Sequence, residues 1–165
     1  MKTIIALVAF FALLLAASPA FSDDQQKAQK EIDKITAMAT DFDGRRAVNL
    51  SMSEMFKVSR PSLVAQRGQT GLNYGNLFLA QELEQGGVTS ADIATKLTDG
   101  GKITDIANQQ HVDWKRIAEE GKKLNAAIDQ NLYNFFLGKK LTRAQDSADK
   151  YDVHYDAATI AFSDI

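Results

Sequence analysis

The chain contains no cysteine, only two prolines and two histidines, and a single tryptophan among its 165 residues. The missing cysteine excludes disulfide scaffolds, thiol catalysis and cysteine–zinc sites. His111 and His154 lie far apart, and neither has a ligand-type residue at i+3 or i+4. A metal site needs three or four converging ligands, and His154 has only Asp152, Tyr155 and Asp156 beside it, so no metal or other cofactor is expected. An excess of one charge is also lacking. Nineteen basic and 21 acidic residues give a formal net charge of −2, which supplies no global drive toward nucleic acid or an anionic membrane. No stretch alternates apolar and polar residues long enough to propose a sheet. Signatures of catalysis are absent too. There is no nucleophile elbow or Ser-x-x-Lys, and no carboxylate pair in an apolar setting; Glu82 and Glu84 share a predicted helix with solvent-facing spacing.

What is present begins with a greasy leader. Lys2 is followed by fourteen apolar residues, Ile4–Ala17, then Pro19 and the small residues Ala20 and Ser22 at the −3 and −1 positions a signal peptidase reads. Fourteen helical residues span about 21 Å, short of the ~30 Å hydrocarbon core, so residues 1–22 read as a cleaved signal peptide rather than an anchor. Cleavage after Ala20 is the near alternative, and the absence of cysteine excludes a lipoprotein anchor. Losing Lys2 leaves eighteen basic and twenty-one acidic groups on a mature chain that should not span a membrane. A small exported domain without disulfides fits a bacterial periplasm or medium. In that setting the Asn49-Leu50-Ser51 sequon reads as chance.

The apolar spacing of the remainder is helical. Ala28, Ile32, Ile35 and Ala39 mark an N-terminal amphipathic helix over 23–40, stopped by Asp41-Phe42-Asp43-Gly44 and forming a unit over 23–44. A helical domain over 45–138 follows. In it Ser53 and Ser59 are cap residues, Pro61 stands in a first turn, and Gly68 and Gly71 close a short piece. Helices are predicted over 73–85, from Thr89 or Ser90 to Gly100, and over 102–110. The longest runs from a cap at Asp113 to Leu137, with Gly121 weakening its middle and Gly138 ending it. Residues 139–165 read as a polar, acid-rich tail. The fold expected is therefore all-α: a small bundle of five or six helices with one long C-terminal helix. Its predicted core is Leu77, Phe78, Leu83, Ile93, Leu97, Ile106, Ile117, Leu124, Ile128, Leu132 and Phe136, with Trp114 as an anchor.

Thr104–Ile117, TDIANQQHVDWKRI, resembles the helix–turn–helix of bacterial DNA-binding proteins, with His111 where that motif has glycine; Ser53–Gln66 is a softer version. The resemblance implies Asp113–Lys122 as a groove helix. Its Lys115, Arg116, Lys122 and Lys123 are offset by Asp113, Glu119 and Glu120, and an exported protein does not meet the chromosome. A helical corner used as scaffold is the simpler reading, and no nucleic-acid partner is expected.

Two surface features remain. Arg45, Arg46, Lys57, Arg60 and Arg67 stand against Glu54, a local excess that suits an envelope polyanion such as lipopolysaccharide phosphate. The plain alternative is a solvated face, neutralised by the five aspartates of Asp146–Ile165. Asn73, Tyr74 and Asn76 could line a sugar or peptide groove, or cap a helix and pack on its neighbour.

Leu141-Thr142-Arg143-Ala144-Gln145 matches the Leu-Thr-x-x-Gln motif of small periplasmic stress chaperones, although a capped helix start would produce the same residues. Gly71–Phe136, with its Asn73-Tyr74-Gly75 and Trp114-Lys115 segments, resembles uncharacterised secreted bacterial helical proteins, which implies a location and no activity. The expected function is that of an exported, non-enzymatic envelope protein binding a protein partner, a client or an envelope polyanion. The alternatives are a secreted hydrolase with an unidentified carboxylate site and, if the N-terminus is no signal, a helix–turn–helix DNA-binding protein.

Overall fold

The computed structural model describes residues 23–162, with side chains described as far as 143. Seven helices occupy that stretch, and no strand: α1 (Asp23–Met38), α2 (Phe42–Phe56), α3 (Arg60–Thr70), α4 (Tyr74–Gln85), α5 (Ser90–Thr98), α6 (Ile103–Gln109) and α7 (Trp114–Phe162). The all-α expectation with a long C-terminal helix holds. Among the described residues no helix is long and apolar enough to cross a membrane. The expected cleavage residues Ala20 and Ser22 lie outside the described residues.

Short polar side chains start the helices where backbone N–H groups would otherwise lack acceptors. Ser59 Oγ accepts from Ser62 N at 3.2 Å, Asn73 Oδ1 from Asn76 N at 2.8 Å, Thr89 Oγ1 from Asp92 N at 3.1 Å and Asp113 Oδ1 from Arg116 N at 3.1 Å. Gly71 ends α3 in the left-handed region at φ 67°, while Gly68 lies inside that helix.

Two boundaries differ from the sequence reading, both because a residue that stops one helix can serve another. Asp41 does not merely break the chain: its Oδ1 accepts from Gly44 N at 2.6 Å and caps α2, so Ser53 falls inside that helix rather than at its start. Gly138 does not end α7, which runs on to Phe162. A glycine within a helix costs only about 1 kcal/mol relative to alanine, too little to stop one flanked by good helix formers. Thr142 accordingly sits mid-helix, its hydroxyl donating to the Gly138 carbonyl at 3.1 Å, and is not a capped start.

α7 is the spine on which three helices dock in succession. Near its start Arg116 meets Glu82 of α4. Further along, Asn125 Nδ2 donates to Glu31 Oε2 of α1 at 2.7 Å, and beyond that Asn131 Nδ2 donates to Ser51 Oγ of α2 at 2.9 Å. Gly121 has a packing reason. A Cβ there would stand 3.0 Å from Glu31 Cβ and 3.6 Å from the Phe78 ring, so its absence lets α1 and α4 approach α7 closely.

The enclosed core includes Ile32, Ile35, Met52, Leu63, Leu77, Phe78, Leu83, Ile93, Ile106, Ile117, Leu124 and Ile128, all essentially without exposure. Leu97, Leu132 and Trp114 are partly buried against it, Trp114 Nε1 donating to Asn108 Oδ1 at 3.2 Å. Phe136, expected in the core, is 58 % exposed. A 49-residue helix is about 74 Å long, against roughly 24 Å for the 16-residue α1. The apolar period of α7 therefore continues past the point where its partners can cover it.

Candidate functional site

α2 and α3 are joined by a short bend at Lys57–Ser59 and place their charged faces on one open groove of about 640 Å³. On α2 the lining residues are Phe42, Arg45, Arg46 and Asn49, spaced i, i+3, i+4, i+7; on α3 they are Arg60, Pro61, Val64 and Arg67. Helical periodicity puts each set on a single face. Tyr74, at the first turn of α4, also lines the groove.

Three of the four arginines are held in place, none by a carboxylate. Arg45 Nη1 donates to the Thr40 carbonyl at 3.2 Å. The Arg46 guanidinium lies 4.7 Å from the centroid of the Phe135 ring, and that of Arg67 4.6 Å from the centroid of the Tyr74 ring. A ring face steadies a guanidinium while leaving its charge and most N–H groups available. Among the described residues none of the four forms an ion pair. Asn49 Nδ2 donates both to the Arg45 carbonyl at 2.9 Å and to Tyr74 Oη at 3.0 Å, tying α2 to α4 below the arginines. Asn49 Oδ1 is buried with no donor.

The two surface features read separately in the sequence thus meet at Tyr74. Arg45, Arg46, Arg60 and Arg67 converge with it. Lys57 does not line the groove; it is the left-handed C-cap of α2 at φ 57°. Asn73 and Asn76 do not line it either: Asn73 caps α4, and Asn76 supplies the N–H it binds. With Asp41-Phe42-Asp43-Gly44 read as a stop, Phe42 and Asn49 do not share a face with Arg45 and Arg46, and Val64 on α3 carries no charge or turn signal of its own. Once Phe42–Phe56 is continuous, the i, i+3, i+4, i+7 spacing of Phe42, Arg45, Arg46 and Asn49 is plain. The aspartates of 146–165, considered as a neutralising tail, lie beyond the described side chains.

Elsewhere, one carboxylate departs from the sequence reading. Glu82 is not solvent-facing but 2 % exposed, with Arg116 Nη1 2.7 Å from its Oε2. The pair is close but the guanidinium N–H is not aligned on that oxygen, which has no hydrogen bond. Burial pushes the Glu82 carboxyl above its usual range, and Arg116 only partly opposes the shift. Glu84 is half-buried and accepts from Gln66, Gln81 and Ser90, at 2.5, 2.9 and 2.5 Å. These bonds join α3, α4 and α5, which is a structural task.

At the α6–α7 corner His111 occupies the left-handed region, φ 50°, where a helix–turn–helix has glycine. Arg116 is turned inward to Glu82, and Lys123 pairs with Glu120 at 2.8 Å, so two of the four cations of the would-be groove helix are engaged internally. Among the described residues no three histidine, aspartate or glutamate side chains gather as a metal site.

No protein-family model, curated protein or solved structure matches this chain.

Proposed function

We propose that this is an exported, non-enzymatic protein of a bacterial envelope whose work is to bind a polyanion in the α2–α3 groove. One observation carries the reading: four arginines from two helices face a single groove with no carboxylate among its lining residues. Leaving four cations together costs repulsion that a fold would relieve by placing an acid among them. A phosphorylated or otherwise polyanionic ligand supplies the missing charge, and guanidinium forks match phosphate oxygens in pairs. Export rests on the leader at 1–22 with its Ala20 and Ser22 cleavage residues.

Two measurements test it. Fractionation of native cells with N-terminal sequencing should find the protein outside the cytoplasm, beginning near Asp23. Calorimetric titration with inositol hexakisphosphate should show binding that weakens with salt. In the Arg60→Gln/Arg67→Gln double variant that affinity should fall about tenfold, since a charge-assisted hydrogen bond contributes roughly 1.5–3 kcal/mol where it is sheltered and less at an open groove. Cytoplasmic protein with Met1 intact would remove the export half of the proposal. Affinity unchanged in the double variant would remove the binding half.

A further inference from the structure

Phe42 is 71 % exposed and Val64 53 % exposed, and both line the arginine groove. A single exposed apolar side chain needs no explanation, but these two are framed by charge. Phe42 stands three and four residues before Arg45 and Arg46 on α2; Val64 stands between Arg60 and Arg67 on α3. Cations and apolar groups therefore alternate across the mouth of one groove.

The same character continues on a second element. Arg46 on the Phe135 ring and the 2.5 Å pair between Lys139 and Asp43 fix α7 beside the start of α2. In that part of α7, Phe136 is 58 % and Leu141 69 % exposed, and Lys140 Nζ lies 5.3 Å from the centroid of the Phe136 ring.

We propose that this end of the molecule is a docking surface for an anionic phospholipid bilayer, the arginines engaging headgroup phosphates while Phe42 and Phe136 enter the headgroup–acyl boundary. The inference rests on the polyanion reading and names its partner class. A soluble phosphorylated ligand would use the arginines but has no use for solvent-exposed phenylalanines around them. The lipid interface offers both partners at once, because anionic headgroups attract cations and aromatic rings sit favourably at that depth. Each cation near an anionic leaflet raises partitioning roughly fivefold. The near-zero net charge of the chain conceals this patch, since the aspartates of 146–165 offset it in the sum.

The test is cosedimentation of the natively processed protein with vesicles of phosphatidylcholine alone, or of phosphatidylcholine with phosphatidylglycerol. Wild type and variants carry the same N-terminus, so any contribution of residues 1–22 cancels in their ratio. Binding should require phosphatidylglycerol and weaken with salt. Arg60→Gln/Arg67→Gln should lower it about 25-fold, two cations at roughly fivefold each. Phe136→Ser/Leu141→Ser, both exposed, outside the groove lining and checked for unchanged helicity, should lower vesicle binding about tenfold while leaving inositol hexakisphosphate affinity within about twofold. Vesicle binding indifferent to these two apolar side chains, equal binding to pure phosphatidylcholine, or a salt-sensitive dimer that occupies the groove in place of lipid would each overturn the membrane inference. Any of these would leave polyanion binding standing if the hexakisphosphate result holds. Loss of binding to both probes would remove the two together.

Discussion

An alanine methyl at position 75 would overlap the Ile32 carbonyl oxygen and stand 2.6 Å from Thr36 Oγ1 and 2.8 Å from Ile32 Cγ2. Gly75 lies in the first turn of α4, where that helix crosses α1, and its N–H donates to Thr36 Oγ1 at 3.1 Å. A comfortable carbon–oxygen approach is about 3.3 Å or more, so the two helices must part by roughly 1 Å to admit the methyl. The obstacle is backbone and cannot swing aside. Overpacking of this kind costs about 1–3 kcal/mol, and straining the Thr36 hydrogen bond adds about 1 kcal/mol. The intrinsic helical advantage of alanine over glycine offsets about 1 kcal/mol. The expected net loss in Gly75→Ala is therefore about 2 kcal/mol, a fall in Tm of about 4–8 °C for a chain of this size. Gly68→Ala is the internal control. Gly68 lies within α3 with no atom near a would-be Cβ, so that variant should gain about 0.5–1 kcal/mol. Gly121→Ala, tight against Glu31 Cβ at 3.0 Å and in ordinary contact with the Phe78 ring at 3.6 Å, should fall between them. Urea and thermal unfolding followed by far-ultraviolet circular dichroism would read all three. A Gly75→Ala protein as stable as wild type, beside a stabilised Gly68→Ala, would refute the close α1–α4 crossing.

Two further outcomes follow from single residues. The Glu82 carboxyl is raised above its ordinary 4.5 by burial, so its protonated form is the one the fold favours. Its contribution to stability is full below 4.5 and is lost as pH rises through the raised folded value. Subtracting the pH–stability curve of Glu82→Gln from that of wild type should give a difference that declines over that window; a flat or rising difference would contradict the assignment. His111 holds φ 50° at the α6–α7 turn and is exposed. His111→Gly should stabilise by up to about 1 kcal/mol, as left-handed strain outweighs the entropy glycine loses on folding. A loss of Tm would count against that turn geometry.

Local chemistry on the chain was sufficient for the helices between Ser59 and Asp113. A capping oxygen binds an N–H three residues on, so Ser59, Asn73, Thr89 and Asp113 announce their helices from sequence alone. The apolar spacing of Ile32, Leu77, Ile117 and Ile128 likewise marks the core faces without any partner in view. Cysteine content and the apolar run Ile4–Ala17 are equally properties of the chain itself.

Tertiary structure decided what local chemistry leaves open. Asp41 begins α2 by a local bond to Gly44 N, and what the fold adds is the close approach of Gly44 to the Met38 carbonyl at the end of α1; whether Phe136 is buried depends on where α2 stops covering α7. Glu82 is polar by composition, yet Arg116 from a helix 34 residues away lets it lie in the interior. The arginine groove has the same origin. Arg45 and Arg46 meet Arg60, Arg67 and Tyr74 only because three helices fold against one another, and contacts between distant segments leave no periodic trace in any one of them.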